Sequence, residues 1–215
     1  RIERRQISRA KWITKELVEL GSAFIKLGQL LSARADVIPS SWVNELTSLQ
    51  DRVPPFEFKK VQEILLFELA SSYEKIINID KNPLGSASLA QVHKAKLING
   101  ENVIFKVQRP DIEKFFRLDL DVMNQVAKVV QRNKSLSQGK DWVGIAKECK
   151  RVLLRELDFR IEAQYAARFK QQFLDDSEIL IPSVFWDLSS RKVICLEYMP
   201  GIKINDIKTL KNNGI

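Results

Sequence analysis

A lysine inside an apolar stretch is the first residue of this sequence that could do chemistry. Lys106 is the charged residue of Val103-Ile-Phe-Lys-Val107, and the alternation of a β-strand would place it on one face with Ile104, opposite the other three residues. A lysine in that position needs a partner. It either protects a sheet edge against aggregation, which this motif alone favours, or binds a phosphate while pairing with a carboxylate on a nearby helix.

Carboxylates for such a pairing occur in the helical pattern of residues 156–162. Asp158 and Glu162 are four residues apart, so on one helix face they repel each other unless a cation faces them. Glu156 lies two residues before them. Two sets of cations could neutralise these groups: arginines of the same segment, Arg155 and Arg160, or lysines from elsewhere in the fold, Lys106 and Lys26. The first set is typical of a solvated helix face, and the second would form a functional site.

Two segments contain small residues that would let a ligand or another element approach closely. The loop of residues 83–92 lies between the first two predicted strands, and a hairpin of this kind can present N–H groups to phosphates. It lacks the Gly-x-Gly-x-x-Gly pattern, and a tight hairpin without a ligand is equally consistent with it. In Phe24-Ile-Lys-Leu-Gly-Gln29, Gly28 costs a helix about 1 kcal/mol relative to Ala. This indicates close packing against another surface, with Lys26 either functional or merely solvated.

The elements that position these residues begin with helices. Residues 1 to about 70 are predicted to be helical, and one apolar stripe, spaced three and four residues apart, supports this; it consists of Ala10, Ile13, Leu17, Leu20, Phe24, Leu27 and Leu31. Strands are predicted at 76–79, 89–93 and 103–107, with Asn99-Gly100 as a strong hairpin signal.

The second half of the chain is predicted to return to helices before the sheet is completed. A helix after Pro110 presents an apolar series made of Ile112, Phe115, Leu118, Val122, Val126 and Val129. A polar break at 133–140 separates it from a long helix over about 141–173. Strands near 183–187 and 192–197 and a short terminal helix follow. We therefore expect an α+β fold with a five-stranded antiparallel sheet covered by helices.

Composition narrows the class of protein. The 215 residues carry 35 Lys and Arg against 27 Asp and Glu, a formal net charge of +8. Apolar runs do not exceed four residues, whereas a membrane-spanning helix needs about 20. Cys149 and Cys195 are too few for a disulfide scaffold, and we interpret them as reduced core residues. His93 is expected to pack rather than to catalyse.

The basic residues are concentrated near the start of the chain, where residues 1–34 hold eight Lys and Arg against three Glu. This excess could meet an anionic membrane surface, or it could be a solvated helix face. No helix-turn-helix or RNA-binding signature is present, so nucleic acid is not an expected partner.

Taken in order, five segments resemble the UbiB/ADCK family of atypical kinase-like proteins. They are Lys26-Leu-Gly-Gln29, which matches that family's KxGQ motif; Leu49-Gln-Asp-Arg-Val-Pro54; the loop Gly85-Ser-Ala-Ser-Leu-Ala-Gln-Val92; Lys106-Val-Gln-Arg-Pro110; and Glu156-Leu-Asp158 with Glu162-Ala163. The resemblance spans roughly residues 15–205.

The resemblance implies a helical extension over 1–72, a protein-kinase-like N-lobe over 73–200, and the hinge exit with the start of a C-lobe over 201–215. We expect the rest of the C-lobe to be absent, because no catalytic Asp, metal-binding Asn or DFG-type Asp set follows Pro200. By the same resemblance, Lys106 would contact phosphate with Glu162 as its partner. Lys26 and Gln29 would project into the cleft, where Glu156 and Asp158 form the ExD pair.

The resemblance also implies a nucleotide site. Its loop would be Gly85, Ser86, Ala87, Ser88, Leu89, Ala90 and Gln91. Glu197 and Met199 would be hinge residues that meet adenine, and Leu196 would gate the pocket behind them. The cofactor would be ATP or ADP with magnesium, whose ligands are expected in the C-lobe. Ile104 departs from the alanine of typical kinases and adds bulk to the pocket.

The implied function is the ATP-binding part of an atypical kinase-like ATPase or phosphotransferase. It would support prenylquinone or membrane-lipid metabolism, with a prenylquinone-type lipid or an anionic membrane as a further partner. Membrane association in a bacterium, mitochondrion or plastid follows from the resemblance alone. The alternative is a non-catalytic membrane- or partner-docking scaffold, which would bind through Arg1, Arg4, Arg5 and Arg9.

Overall fold

The computed structural model describes residues 2–33, 38, 40–47, 49, 54–204 and 206–214, and only the backbone of residues 2–8. Residues 50–53 of the motif that begins at Leu49 lie outside the described part, as do the side chains of Arg1, Arg4 and Arg5. Within the described residues, no helix is both long and apolar enough to cross a membrane.

The first helices form a unit of their own. They are α1 (Ile2–Leu20), α2 (Ser22–Ser32) and α3 (Ser40–Thr47). The apolar stripe was expected to run through one helix, but Gly21 has φ 106°, a conformation that ends α1 and redirects the chain. Leu20 is consequently exposed, whereas Ala23 and Ile25 are buried.

Gly28 lies at the contact between α2 and its neighbours. A Cβ at this position would overlap the Leu49 side chain and lie 3.1 Å from Cδ1 of Leu17. The glycine therefore lets α2 approach both α1 and the chain that follows α3.

The sheet consists of β1 (Ile76–Ile79), β2 (Gly85–Ser86), β3 (Ala90–Leu97), β4 (Asn102–Gln108) and β5 (Val193–Glu197). All pairings are antiparallel, in the order β1-β3-β4-β5, with β2 also paired to β3. The α+β fold with a five-stranded antiparallel sheet is therefore confirmed, although β2 was not predicted and one predicted strand is not formed.

Residues 183–187 do not form the expected strand. Val184 makes a single antiparallel bridge with Leu196, and Trp186–Leu188 is a 3-10 turn. The backbone of residues 183 and 185 still bonds to Glu197 and Cys195 of β5. Side-chain hydroxyls meet two further N–H groups of this edge, since Ser189 Oγ accepts from the Cys195 N–H at 3.0 Å and Ser190 Oγ from the Val193 N–H at 3.2 Å.

The helix α4 (Phe58–Leu69) covers one face of the sheet. Its Val61, Leu65 and Leu69 share a buried cluster with β4, which contributes Val103, Phe105 and Val107. The alternation of β4 thus places its three buried residues under α4 and leaves Lys106 on the opposite face. The predicted boundary between the helical extension and the N-lobe at residue 72 stays a prediction. The helix α4 lies before that boundary but packs on the sheet.

The opposite side is built by α5 (Ile112–Arg132), α6 (Lys134–Ser137), α7 (Trp142–Glu156) and α8 (Phe159–Gln172), and α9 (Ile207–Asn212) follows the sheet. The helix expected over 141–173 is interrupted after Glu156, because the Asp158 carboxylate accepts the Arg160 backbone N–H and caps a new helix.

The apolar face of α5 differs from the expected one. The buried residues are Ile112, Phe116, Leu120 and Ala127, whereas Phe115, Leu118, Val122, Val126 and Val129 are exposed. The helix has two apolar sectors, and the one that contains Phe116 and Leu120 packs with Ala23 of α2 and Leu153 of α7.

Candidate functional site

The central contact of the site joins β4 to α8. Lys106 Nζ lies 2.6 Å from Glu162 Oε2 and 4.9 Å from the centre of the Phe159 ring. This geometry arises because Phe159 and Ala163 of α8 pack with Ala90 of β3 and the β5 residue next to Lys106, Ile194. The side chains keep 28% and 47% exposure, so the pair borders an open space rather than the core.

A second ion pair connects α2 to the end of α7. Lys26 Nζ lies 3.5 Å from Glu156 Oε2, and the lysine side chain is 20% exposed. This contact holds α2 beside the same open space that Lys106 and Glu162 border. Gln29 faces elsewhere, since its Nε2 donates to the Leu49 carbonyl at 3.1 Å and it does not line that space.

Asp158 is neutralised locally rather than by a distant lysine. The Arg160 guanidinium donates to both of its oxygens, at 2.9 and 2.7 Å. This hydrogen bonding holds the pKa of the Asp158 carboxyl below its ordinary value. Both sequence interpretations therefore apply, each to different acids: an arginine of the same segment pairs with Asp158, and lysines from other elements pair with Glu156 and Glu162.

These groups border one cavity of about 550 Å³. Its wall consists of Lys26 from α2, the loop Ala87–Ala90, Lys106 from β4, Val152, Arg155 and Glu156 from α7, Asp158, and Phe159, Ile161, Glu162 and Tyr165 from α8. Five of the predicted catalytic residues thus meet at one place, and Gln29 is the exception.

The loop at the cavity is held by its carbonyl groups. Ser22 Oγ of α2 donates to the Ser88 carbonyl at 3.0 Å, and Arg109 Nε donates to the Ala87 carbonyl at 2.8 Å. The Arg109 and Ala87 backbone N–H groups bond to the carbonyls of Leu89 and Ala90. The protein itself therefore occupies all four carbonyls of Ala87–Ala90.

The remaining predicted loop residues lie outside the cavity wall. Gly85 has open space where a Cβ would be, and Ser86 Oγ accepts from Arg109 Nη2 at 2.8 Å. Gln91 is 1% exposed, and its carboxamide accepts the Phe56 N–H at 2.9 Å and donates to the Phe56 carbonyl. In this structure Gln91 anchors residues 54–57 to the sheet.

His93 belongs to the same buried network. Because Gln91 Oε1 accepts the Phe56 N–H, Gln91 Nε2 must donate to His93 Nε2, which lies 2.7 Å away. His93 Nδ1 therefore carries the proton and donates to the Asp80 carbonyl at 2.7 Å. Burial lowers the pKa of His93, in agreement with a neutral packing residue.

The predicted hinge residues lie apart from this cavity. Glu197 and Met199 border another cavity of about 260 Å³ beside α8. The Glu197 carboxylate accepts from the Ser183 N–H at 3.0 Å and Oγ at 2.8 Å, and these bonds lower the pKa of Glu197. Ile104 is paired with Leu196 across β4 and β5, on the same sheet face as Lys106.

Sequence reasoning did not single out Ser22, Arg109 or Tyr165 and treated Arg155 only as a local counter-ion. Arg109 holds the loop, and Arg155 and Tyr165 line the cavity. The position of Arg109 directly after the strand of Lys106 was the available signal. Across the described part of the chain, no three His, Cys, Asp or Glu side chains are grouped so that they could hold a metal ion.

A lysine in a central antiparallel strand, bonded to a glutamate of the helix packed beside it, defines the N-lobe class of protein-kinase-like folds. The family model described as the ABC1 atypical kinase-like domain matches residues 48–215. The chain belongs to this family.

Two similar proteins support the family assignment. The chloroplastic protein ACTIVITY OF BC1 COMPLEX KINASE 7 of Arabidopsis thaliana is 42% identical over 206 residues, which are 95% of this chain and 30% of that protein. A probable protein kinase UbiB of Shewanella denitrificans is 35% identical over 209 residues, 96% of this chain and 38% of that protein. The resemblance to the UbiB/ADCK family is therefore confirmed.

A solved structure shows the same fold. The structure of the Rv3197–erythromycin complex from Mycobacterium tuberculosis matches 87% of this chain and 47% of its own, with 32% sequence identity and a TM-score of 0.63. The match covers less than half the length of each of these proteins.

Proposed function

We propose that the cavity between α2, β4 and α8 binds the phosphate groups of ATP or ADP. The observation that supports this most directly is the Lys106–Glu162 contact of 2.6 Å. An ion pair holds the ammonium at the cavity wall in a fixed place, which is what a lysine needs to meet a phosphate oxygen. The cavity volume of about 550 Å³ lies within the range of roughly 300–1,000 Å³ of small-molecule sites.

The surrounding residues fit a nucleotide. Ala87, Ser88 and Ala90 supply small side chains in the same cavity wall as Lys106. The carbonyls of residues 87–90, which would repel phosphate, already accept hydrogen bonds. The adenine would extend along the sheet face of Ile104 and Leu196 toward Glu197 and Met199. A bound nucleotide would supply the transferable phosphoryl group.

Magnesium is proposed to accompany the nucleotide. We expect its protein ligands in a C-lobe, as in protein kinases. In this proposal the chain is the nucleotide-binding part of an atypical kinase-like ATPase or phosphotransferase that supports prenylquinone or membrane-lipid metabolism. Relatives are found in a chloroplast and in bacteria, which supports a plastid or bacterial setting.

Calorimetric titration of the chain with ADP and ATP, with and without magnesium, tests the proposal. We expect Lys106→Ala to weaken nucleotide binding at least tenfold, because a charge-assisted hydrogen bond contributes roughly 1.5–3 kcal/mol. Lys96→Ala is the control, since Lys96 is an exposed lysine of the neighbouring strand β3. Equal binding by the two variants would refute the proposal.

A docking function is the second candidate, and the exposed side of α5 favours it. Five apolar side chains on this helix are between 55% and 63% exposed, and Lys128 and Arg132 lie near its end. An amphipathic helix with basic residues is typical of membrane-surface contact. Salt-sensitive binding to anionic vesicles that is lost when Lys128 and Arg132 are neutralised would support docking through α5. Loss of binding on neutralising Arg1, Arg4, Arg5 and Arg9 would instead support docking through the start of the chain, and unchanged binding in both variants would exclude both surfaces.

A further inference from the structure

The cavity wall holds three cations and three acids, but they do not form three ion pairs with one another. Glu156 is paired with Lys26, and Glu162 with Lys106. The third acid, Asp158, is paired with Arg160, which is not part of the wall. The remaining charge of the wall belongs to Arg155, and among the described residues no carboxylate lies within ion-pair distance of it.

Arg155 is held next to a hydroxyl of the facing helix. Its Nη2 donates to Tyr165 Oη at 3.4 Å, a long contact that leaves most donors of the guanidinium available. Because this bond uses Tyr165 Oη as acceptor, the phenolic proton remains free to be donated to a ligand. The two side chains project from α7 and α8 into the same cavity.

The location of Arg155 in the last turn of α7 has a simpler explanation, since a cation there offsets the helix dipole. That explanation accounts for the charge but not for its placement in the cavity wall. Arg151, one turn earlier, is bonded to Glu148 of its own helix and does not line the cavity. A guanidinium without an acidic partner, beside a hydroxyl donor, can donate in parallel to two oxygens of a phosphate or a carboxylate.

We infer that Arg155 and Tyr165 form a second anion subsite of the cavity. This subsite binds a phosphoryl group and is separate from Lys106. This inference rests on the proposed nucleotide site. The group is either the terminal phosphate of a nucleoside triphosphate or the phosphate of a second molecule bound beside the nucleotide. Both sources present a phosphate to the guanidinium. The affinities of the Arg155 variant for the separate ligands distinguish them.

The experiment is calorimetric titration of the purified chain with ADP, with a non-hydrolysable ATP analogue, and with pyrophosphate added to the ADP-saturated chain. The variants are Arg155→Gln and Tyr165→Phe, with Arg151→Gln as the matched control from the same helix. All three substituted side chains are exposed, and circular dichroism verifies that each variant folds.

If the nucleotide supplies the group, Arg155→Gln lowers the affinity for the ATP analogue roughly tenfold or more and leaves the affinity for ADP unchanged. If a second molecule supplies it, both nucleotides bind normally and pyrophosphate affinity falls by a similar factor. Tyr165→Phe lowers the affected affinity several-fold. The inference is overturned if Arg155→Gln binds all three probes as Arg151→Gln does.

The two proposals fail separately. If the unmodified chain binds no nucleotide, the proposed function is refuted, and pyrophosphate is then titrated into the free chain. Loss of pyrophosphate binding in Arg155→Gln but not in Arg151→Gln would still support the anion subsite. Equal pyrophosphate affinity in the two variants would refute it.

Discussion

Lys106 and Glu162 are 56 residues apart in the chain, and their side chains meet at 2.6 Å. The first belongs to the strand β4 and the second to α8, which begins only after three other helices have been completed. Their contact therefore depends on the whole arrangement of the sheet and the helices around it. Replacing one partner tests the role of the contact in ligand binding separately from its contribution to fold stability.

Glu162→Gln should weaken nucleotide binding several-fold, because Lys106 loses the charge that fixes its ammonium group. Unfolding by urea should change by less than about 1 kcal/mol, since the pair is partly exposed and such pairs contribute little to stability. Glu63→Gln, which breaks the exposed Lys60–Glu63 pair on α4, is the control and should leave affinity unchanged. A Glu162 variant with unaltered affinity would contradict this role.

Gly28→Ala should destabilise the fold even though alanine is the better helix former. The added methyl group overlaps Leu49 and crowds Leu17, and overpacking of this kind typically costs about 1–3 kcal/mol. Thermal unfolding measures the effect. Gly85→Ala is the control, because open space surrounds its Cβ position; equal unfolding temperatures would show that α2 adjusts freely.

Acidification should remove stability through His93. Burial lowers its pKa in the folded chain from the ordinary value of 6.5, so the unfolded chain binds the proton more readily. The stability contribution is present above about pH 6.5 and is lost as the pH falls through the folded-state pKa. Urea unfolding between pH 5 and 7.5 measures the slope, and His93→Gln should flatten it. An unchanged slope in the variant would assign the loss to other groups.

Arg109→Lys should loosen the loop at the cavity. The guanidinium bonds the Ala87 carbonyl, Ser86 Oγ and the Pro54 carbonyl, a set that a lysine ammonium cannot reproduce because it lacks the planar fork. Hydrogen exchange should become faster in residues 85–90, with a stability loss of roughly 1–3 kcal/mol. Arg132→Lys serves as control, and unaltered exchange in the Arg109 variant would contradict the prediction.

The two cysteines should differ in reactivity. Burial strongly raises the pKa of the Cys195 thiol, whereas Cys149 is half-buried at a cavity beside α2. A thiol reagent should label one cysteine in the folded chain and two after denaturation. Mass spectrometry of the labelled peptides identifies the site, and fast labelling of Cys195 under native conditions would contradict its burial.

Much of the fold could be predicted from local patterns. The alternation around Lys106 correctly placed Val103, Phe105 and Val107 in the core, because a strand has one buried face. The strand expected at 183–187 is cut short because serine hydroxyls, rather than backbone carbonyls, accept from the Val193 and Cys195 N–H groups, which no periodicity reveals. The buried sector of α5 was misjudged because that helix has two apolar sectors and only its neighbours decide between them.

The site was predictable as a set of residues rather than as a set of contacts. The segments that hold Lys26, Lys106 and Glu162 could be identified by their resemblance to a family. The partners of Gln29 and Gln91 depend on where distant backbone groups come to lie, so sequence spacing does not indicate them. The functional roles of all these residues stay predictions until binding is measured.

The hydrogen bond from Ser22 to the Ser88 carbonyl has a mechanical consequence. It ties the first turn of α2 to the strand-connecting loop, while Arg109 holds the same loop from the other side. Lifting α2 must break the first attachment and leave the second intact, so the loop would pivot about Arg109. Admission of a molecule beneath α2 and reshaping of the loop backbone would then be one coupled rearrangement.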